Sequence, residues 1–261
     1  VTTLRHLRSN RWVQLGLICL ALLLIVVGAG GAYWYLESRE PPRDEAIGGI
    51  PLQFAGPLQV LRAPDGQPTT VTFIGDSISN GWAATTYEDS YIPKTIATWN
   101  SGGPTVAKVD AVSGKKLWEV GKYAAIDPAS QLVVIELGTN DVRFGDETEP
   151  SEFRRQYGAL VRRVKSEAPD AAIVCLGTWR PSSKAREYDG QIAAACDADK
   201  SRFLKLTDIY ENTNSRGPSG RPVFLSNDGT GDNFHPNDLG YTAIMQRITD
   251  SVVFKPHSNA G

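Results

Sequence analysis

Five short runs of mostly apolar or β-branched residues punctuate the chain: TTVTFIG (69–75), TVAKVDAV (105–112), QLVVIEL (131–137), AAIVCLG (171–177) and RFLKLTD (202–208). Several are continuously apolar, the pattern of strands covered on both faces. Between them the apolar positions recur at helical spacing. Over 149–168, Phe153, Tyr157, Leu160, Val161 and Val164 share one face, while Arg154, Arg155, Arg162 and Arg163 fall mostly elsewhere. Pro150 opens that segment and Ala168-Pro169 closes it, as helix boundaries require. A second helix is predicted over 237–253 from Leu239, Tyr241, Ile244, Met245, Ile248 and Val252, with further helices over 88–99, 117–125 and 184–198. Strands alternating with helices predict an α/β fold, a three-layer α/β/α sandwich around a central parallel sheet of about five strands.

A different pattern occupies the N-terminal part. No charged residue occurs from Trp12 to Leu36, and LGLICLALLLIVV at its centre is almost purely aliphatic. A bilayer core takes about 20 residues of apolar helix. Trp12 on one side and Tyr33, Trp34 and Tyr35 on the other stand where interfacial aromatics belong, and Arg5, Arg8 and Arg11 precede the run. The expectation is a transmembrane signal-anchor over 12–36, with residues 1–11 cytoplasmic and everything after the span extracytoplasmic. A cleaved secretory signal, with GAGGA (28–32) at the cleavage site, is the alternative, and it exports the domain equally. Residues 37–57, rich in proline and glycine, read as a linker, 58–255 as the folded domain, and 256–261 as a tail.

Composition narrows the function classes. With 41% hydrophobic and 21% charged residues the chain is neither disordered nor collagen-like. A net charge of −2 and dispersed basic residues give no field that would draw nucleic acid. Three cysteines are too few for a disulfide scaffold. Cys19 lies in the apolar run, which leaves Cys175 and Cys196 either as a bonded pair in an exported domain or as two separate buried thiols. No cysteine or histidine spacing predicts a metal site, and no cofactor signature is present.

In an open α/β sheet, ligands bind beyond the carboxyl ends of the strands. There the sequence places Gly75-Asp76-Ser77, Ser113-Gly114, Gly138-Thr139-Asn140-Asp141 and Thr178-Trp179-Arg180, with Asp232-Asn233-Phe234-His235-Pro236 ahead of the last helix. Of three histidines, His6 precedes the span and His257 lies in the tail, so His235 is the candidate general base, a helix-capping role being the alternative. Asp232, three residues upstream, is spaced to accept from its Nδ1–H; it could instead shape a turn, and Asp228 is the less well-spaced rival. Ser77 follows a strand and is expected to open a helix, either as a nucleophile beside free backbone N–H groups or as an ordinary N-cap. Its GDSIS setting is not a G-x-S-x-G elbow.

Taken in order, GDSISNG (75–81), Gly114, GTND (138–141) and DNFHPN (232–237) resemble the blocks of the SGNH or GDSL-type hydrolase superfamily, over roughly 69–254. The resemblance implies a flavodoxin-like SGNH fold. It implies Ser77 as nucleophile, His235 as base and Asp232 as its orienting carboxylate, with an oxyanion hole from the Ser77 N–H, the Gly114 N–H and the Asn140 amide. Around Gly114 the chain reads DAVSGKK, without the asparagine usual in that block. The activity implied is hydrolysis of short-chain acyl esters, such as acetyl, on an extracytoplasmic glycan or lipid. Two alternatives are O-acyl transfer to such a substrate, beside an integral-membrane partner, and a non-catalytic glycan-binding module.

Overall fold

The structure, a computed structural model, describes residues 56–197 and 201–257. The predicted signal-anchor and nearly all of the linker lie outside the described residues. Among the described residues no helix is long and apolar enough to cross a membrane.

In chain order the elements are β1 (Leu58–Leu61), β2 (Thr69–Gly75), α1 (Tyr91–Asn100), β3 (Thr105–Ala111), α2 (Leu117–Gly121), β4 (Leu132–Glu136), α3 (Pro150–Glu167), β5 (Ala172–Leu176), α4 (Ser182–Ala195), β6 (Ser201–Leu204), α5 (Thr207–Glu211), α6 (Asp238–Ser251) and β7 (Val252–Lys255). Five strands form one parallel sheet in the order β3-β2-β4-β5-β6. This is the doubly wound arrangement in which the strand order reverses beside the first strand of the sheet. Every residue of β2, β4 and β5 is buried, which accounts for their predominance of apolar and β-branched residues. The edge strand β3 carries exposed Val106 and Val109 instead, beside Lys108 and Asp110.

Two apolar layers flank the sheet. On one face Val71, Phe73, Leu132 and Val134 pack with Tyr91, Ile92 and Trp99 of α1 and Tyr241, Ile244 and Ile248 of α6. On the other, Ile74, Val133, Ile135 and Ile173 pack with Leu117 and Val120 of α2, with Phe153, Tyr157, Leu160, Val161 and Val164 of α3, and with Ile192 of α4. The α3 face is the one its sequence periodicity predicts.

Three expectations need correction. The run 202–208 is not one strand: β6 ends at Leu204 and the chain coils into α5 from Thr207, so the apolar Leu206 packs at a helix start. The helix predicted over 237–253 stops at Ser251, and Val252–Lys255 pairs in parallel with β1 as a separate two-stranded sheet. Val252 fits the helical stripe after Ile244 and Ile248, so periodicity alone could not find that boundary. Ser77 does not open a helix. Residues 77–83 form consecutive turns, because Gly81 (φ +75°) and Ala83 (φ +65°) take left-handed backbone that ends any helix.

Cys175 at the end of β5 and Cys196 after α4 form a disulfide, with Cα atoms 6.4 Å apart and 21 residues of sequence separation. In the chain-entropy account, closing a loop of that length stabilises the fold by about 3 kcal/mol. Replacing both cysteines with serine is expected to lower the unfolding free energy by about that amount, measured by urea denaturation of the described domain.

Candidate active site

The loops beyond the strand ends are tied to one another by hydrogen bonds. Asn80, in the turns after β2, donates from Nδ2 to Ala111 O (3.1 Å) and to Ser113 Oγ (3.0 Å) after β3. Thr139, after β4, accepts at Oγ1 from Trp179 N (2.9 Å) and at its carbonyl from Arg180 Nε (3.0 Å), both after β5. Trp179 Nε1 donates to Phe234 O at 2.7 Å, joining that loop to the segment before α6. Trp179 is fully buried, so it packs the loops together rather than facing a ligand.

Ser77, His235 and Asp232 meet in series at this edge. His235 Nε2 lies 3.0 Å from Ser77 Oγ, and His235 Nδ1 lies 2.7 Å from Asp232 Oδ2. The other Asp232 oxygen accepts from the His235 N–H (2.7 Å) and the Phe234 N–H (2.9 Å), so a tight local turn fixes the carboxylate before the ring reaches it. Asp228 accepts instead from Thr230 N and Oγ1 and bonds its own turn. Behind this loop Asn237 caps α6, accepting from Leu239 N and Gly240 N, and donates to Asn214 O and Gly217 O. The Trp82 ring stands 5.5 Å from the His235 ring at 33° and covers one side of the imidazole.

The other site residues are arranged less directly. Among the described residues neither the Ser77 N–H nor the Gly114 N–H has an acceptor. Gly114 is exposed, with φ +76°, and the bonds that knit its loop run through Ser113 and Lys115. Asn140 Nδ2 donates to Asp76 Oδ2 and to Lys115 O, both at 3.0 Å. Asp141 serves the scaffold: it is buried and accepts from the α2 amide of Leu117 (2.9 Å) and from Thr148 Oγ1 (2.6 Å).

Three residues the sequence reading passed over lie beneath Ser77. Glu136, the last residue of β4, is in register with Gly75 and wholly buried. Its Oε2 accepts from Ser79 Oγ at 3.1 Å, and Ser79 Oγ is 2.8 Å from Tyr91 Oη. A Cβ on Gly75 would fall 1.9 Å from Ser79 Oγ, so only glycine admits this packing. The available signal was one acid inside an otherwise apolar strand, LVVIE.

Charge at the site is set by burial. Desolvation raises the Asp76 carboxyl to about 6, against the lowering influence of the Ile78 N–H, Glu136 and His235. Desolvation and the neighbouring Asp76 push Glu136 well above the usual carboxylate range. For Asp232, desolvation acts upward, but the bonds from the His235 ring and amide outweigh it and bring the group down to about 2. Among the described residues no cluster of histidine, cysteine or acidic side chains could hold a metal ion.

Residues 73–243 match the GDSL-like lipase/acylhydrolase family. Solved structures with a similar fold include phospholipase A1 from Streptomyces albidoflavus NA297, at 15% identity and a TM-score of 0.54, covering 71% of this chain and 100% of that one. The psychrotrophic esterase EstA from Pseudoalteromonas sp. is 16% identical with a TM-score of 0.52, covering 70% and 96%. An acetyl xylan esterase, AlAXEase, is 18% identical with a TM-score of 0.52, covering 70% and 100%. No curated protein matches the chain.

The lowered Asp232 carboxyl carries a signed pH dependence. Its folded value of about 2 lies below the unfolded value of about 3.9, so its contribution is complete above pH ~4 and is lost as the pH falls through about 2. The stability gap between the native protein and Asp232→Asn is expected to be about 1 kcal/mol near neutrality, after allowance for solvent screening of a half-exposed group, and to close in acid. Chemical denaturation at a series of pH values checks this.

Proposed function

Because the chain belongs to the GDSL-like lipase/acylhydrolase family and is an SGNH-type hydrolase, we propose that it cleaves short-chain acyl esters, such as acetyl, through Ser77, His235 and Asp232. In this reading His235 Nε2 takes the Ser77 proton as Oγ attacks the ester carbonyl, and Asp232 holds the tautomer and stabilises the imidazolium. The oxyanion is held by the Ser77 and Gly114 N–H groups and by the Asn140 amide, which turns from Lys115 O toward the developing charge. His235 then protonates the leaving alkoxide, and water resolves the acyl-enzyme by the same proton relay. The observation that carries the reading is the unbroken contact series, 3.0 Å from hydroxyl to imidazole and 2.7 Å from imidazole to carboxylate.

The substrate in this proposal is an acylated component of the cell envelope or its surroundings, reached by an exported, membrane-tethered domain. Support comes from the uncharged run 12–36 with arginines ahead of it, and from the Cys175–Cys196 disulfide, which suits an oxidising compartment. Within this proposal the acyl group is carried on a carbohydrate. A similar fold also serves an enzyme described as an acetyl xylan esterase.

A fluorophosphonate probe is expected to label the native protein and not Ser77→Ala. Persistent labelling of the variant, or none of the folded native protein, overturns the proposal. Among p-nitrophenyl esters of graded length, the acetyl and propionyl esters are expected to turn over fastest. Free acid, rather than acylated sugar, should be the main product when a sugar acceptor is present. Asn140→Ala is expected to lower kcat by about 10²–10³ with a smaller change in KM, read from steady-state kinetics on the acetyl ester.

A further inference from the structure

The proposed reaction uses Ser77, His235 and Asp232 and leaves a buried carboxyl pair beneath them without a role. Glu136 is wholly buried at the end of β4, and Asp76, the residue before the nucleophile, is wholly buried above it. Glu136 Oε2 faces Ser79 Oγ at 3.1 Å and the Asp76 N–H at 3.5 Å, while Oε1 has no partner. These bonds go to a hydroxyl and an amide, not to a cation. The titratable groups that sense Glu136 are Asp76 on the nucleophile loop, Tyr91 on α1, Tyr157 on α3 and Tyr241 on α6. A carboxylate in such surroundings carries a large desolvation penalty that one hydroxyl and one long amide contact offset only in part, whereas a neutral acid does not.

From this juxtaposition we propose that Glu136 is a positioning residue that works as an uncharged carboxylic acid, donating its proton to the Asp76 carboxylate and accepting from Ser79, and so setting both ends of the nucleophile loop. The inference rests on the reading of Ser77 as nucleophile. A bond of this kind acts to lower Asp76 and to raise Glu136, the direction that leaves the proton on Glu136. Asp76, kept ionised, then accepts from Ile78 N (3.0 Å) just after Ser77, and from Asn140 Nδ2 (3.0 Å). One buried proton thus aligns the nucleophile turn and the amide that faces the oxyanion. The Ser79 branch runs on through Tyr91, which stacks on Tyr241 (6.5 Å, 19°); Tyr241 Oη donates to Trp82 O at 2.8 Å, and Trp82 covers the His235 ring. A change at Glu136 therefore reaches the hydroxyl, the imidazole and the oxyanion donor through bonds and ring contacts, without Glu136 touching substrate.

The test compares native protein, Glu136→Leu and Glu136→Gln by two readouts. The first is the infrared spectrum at about pH 8, where Asp76 and Asp189, both raised to about 6, are ionised. The native spectrum is expected to show the carbonyl stretch of a buried protonated carboxylic acid, absent from Glu136→Gln; no such difference overturns the proposal whether or not the protein hydrolyses esters. The second is the rate at which a fluorophosphonate labels Ser77, alongside kcat and KM on the acetyl ester. Glu136→Leu is expected to slow labelling and kcat by about ten-fold or more with KM within about three-fold, and Glu136→Gln to restore most of the loss, since an amide is also an uncharged donor and acceptor. If Gln is as slow as Leu, or Leu as fast as native, the assignment fails. Should Glu136→Leu not fold, Ser79→Ala takes its place: the carboxylic band shifts and kcat falls, and an unmoved band with unchanged kcat overturns the proposal.

Discussion

A hydroxyl and an imidazole separated by 158 positions in the chain stand 3.0 Å apart, and everything at the site depends on that contact. Neither loop fixes it alone. Ser77 is delivered by β2, which is buried along its whole length between β3 and β4. His235 is delivered by a turn locked from both sides, by Asp232 ahead of it and by Asn237 at the start of α6. The sheet supplies the rigid frame and α6 the second anchor, joined through Tyr91 and Tyr241 in one apolar layer. In the proposed reaction, groups so placed require little reorganisation when substrate arrives.

Asn140 shows how such preorganisation is built and what it leaves adjustable. Both hydrogens of its amide are engaged in the free protein, one by the buried Asp76 and one by the backbone carbonyl of exposed Lys115. The buried partner fixes where the side chain sits. In the proposed reaction the exposed one keeps the second N–H hydrogen-bonded until the oxyanion takes its place, and an acceptor on an exposed loop is the easier of the two to exchange.

Much of this was legible in the sequence, for identifiable reasons. Strands covered on both faces are rich in apolar and β-branched residues, so β2, β4 and β5 announced themselves, and the rule that ligands gather beyond parallel strands directed attention to the right loops. The spacing of Asp232 and His235 is a local property of one turn and could be read directly. What escaped depends on partners distant in sequence. β1 and β7 are four residues each, too short to stand out, and the Val252 that opens β7 continues the helical stripe, so only their pairing reveals them as strands. The turns at 77–83 depend on left-handed backbone at Ala83, whose amide bonds to Leu225 O and whose carbonyl accepts from Arg221, neither inferable from the local residues. Glu136 was visible as a letter, but its meaning required knowing that Gly75 lies beside it.

The pairing of β1 with β7 makes the beginning and the end of the described fold neighbours. Leu58 lies opposite Val252 and Leu61 opposite Lys255, so Lys255 sits about three residues of strand, or roughly 10 Å, from Leu58. A covalent bridge of a few flexible residues is long enough to join those two points, and the domain is therefore geometrically suited to circular permutation. Its chain could be reopened at an exposed bend far from Ser77 while every strand of the main sheet kept its neighbours.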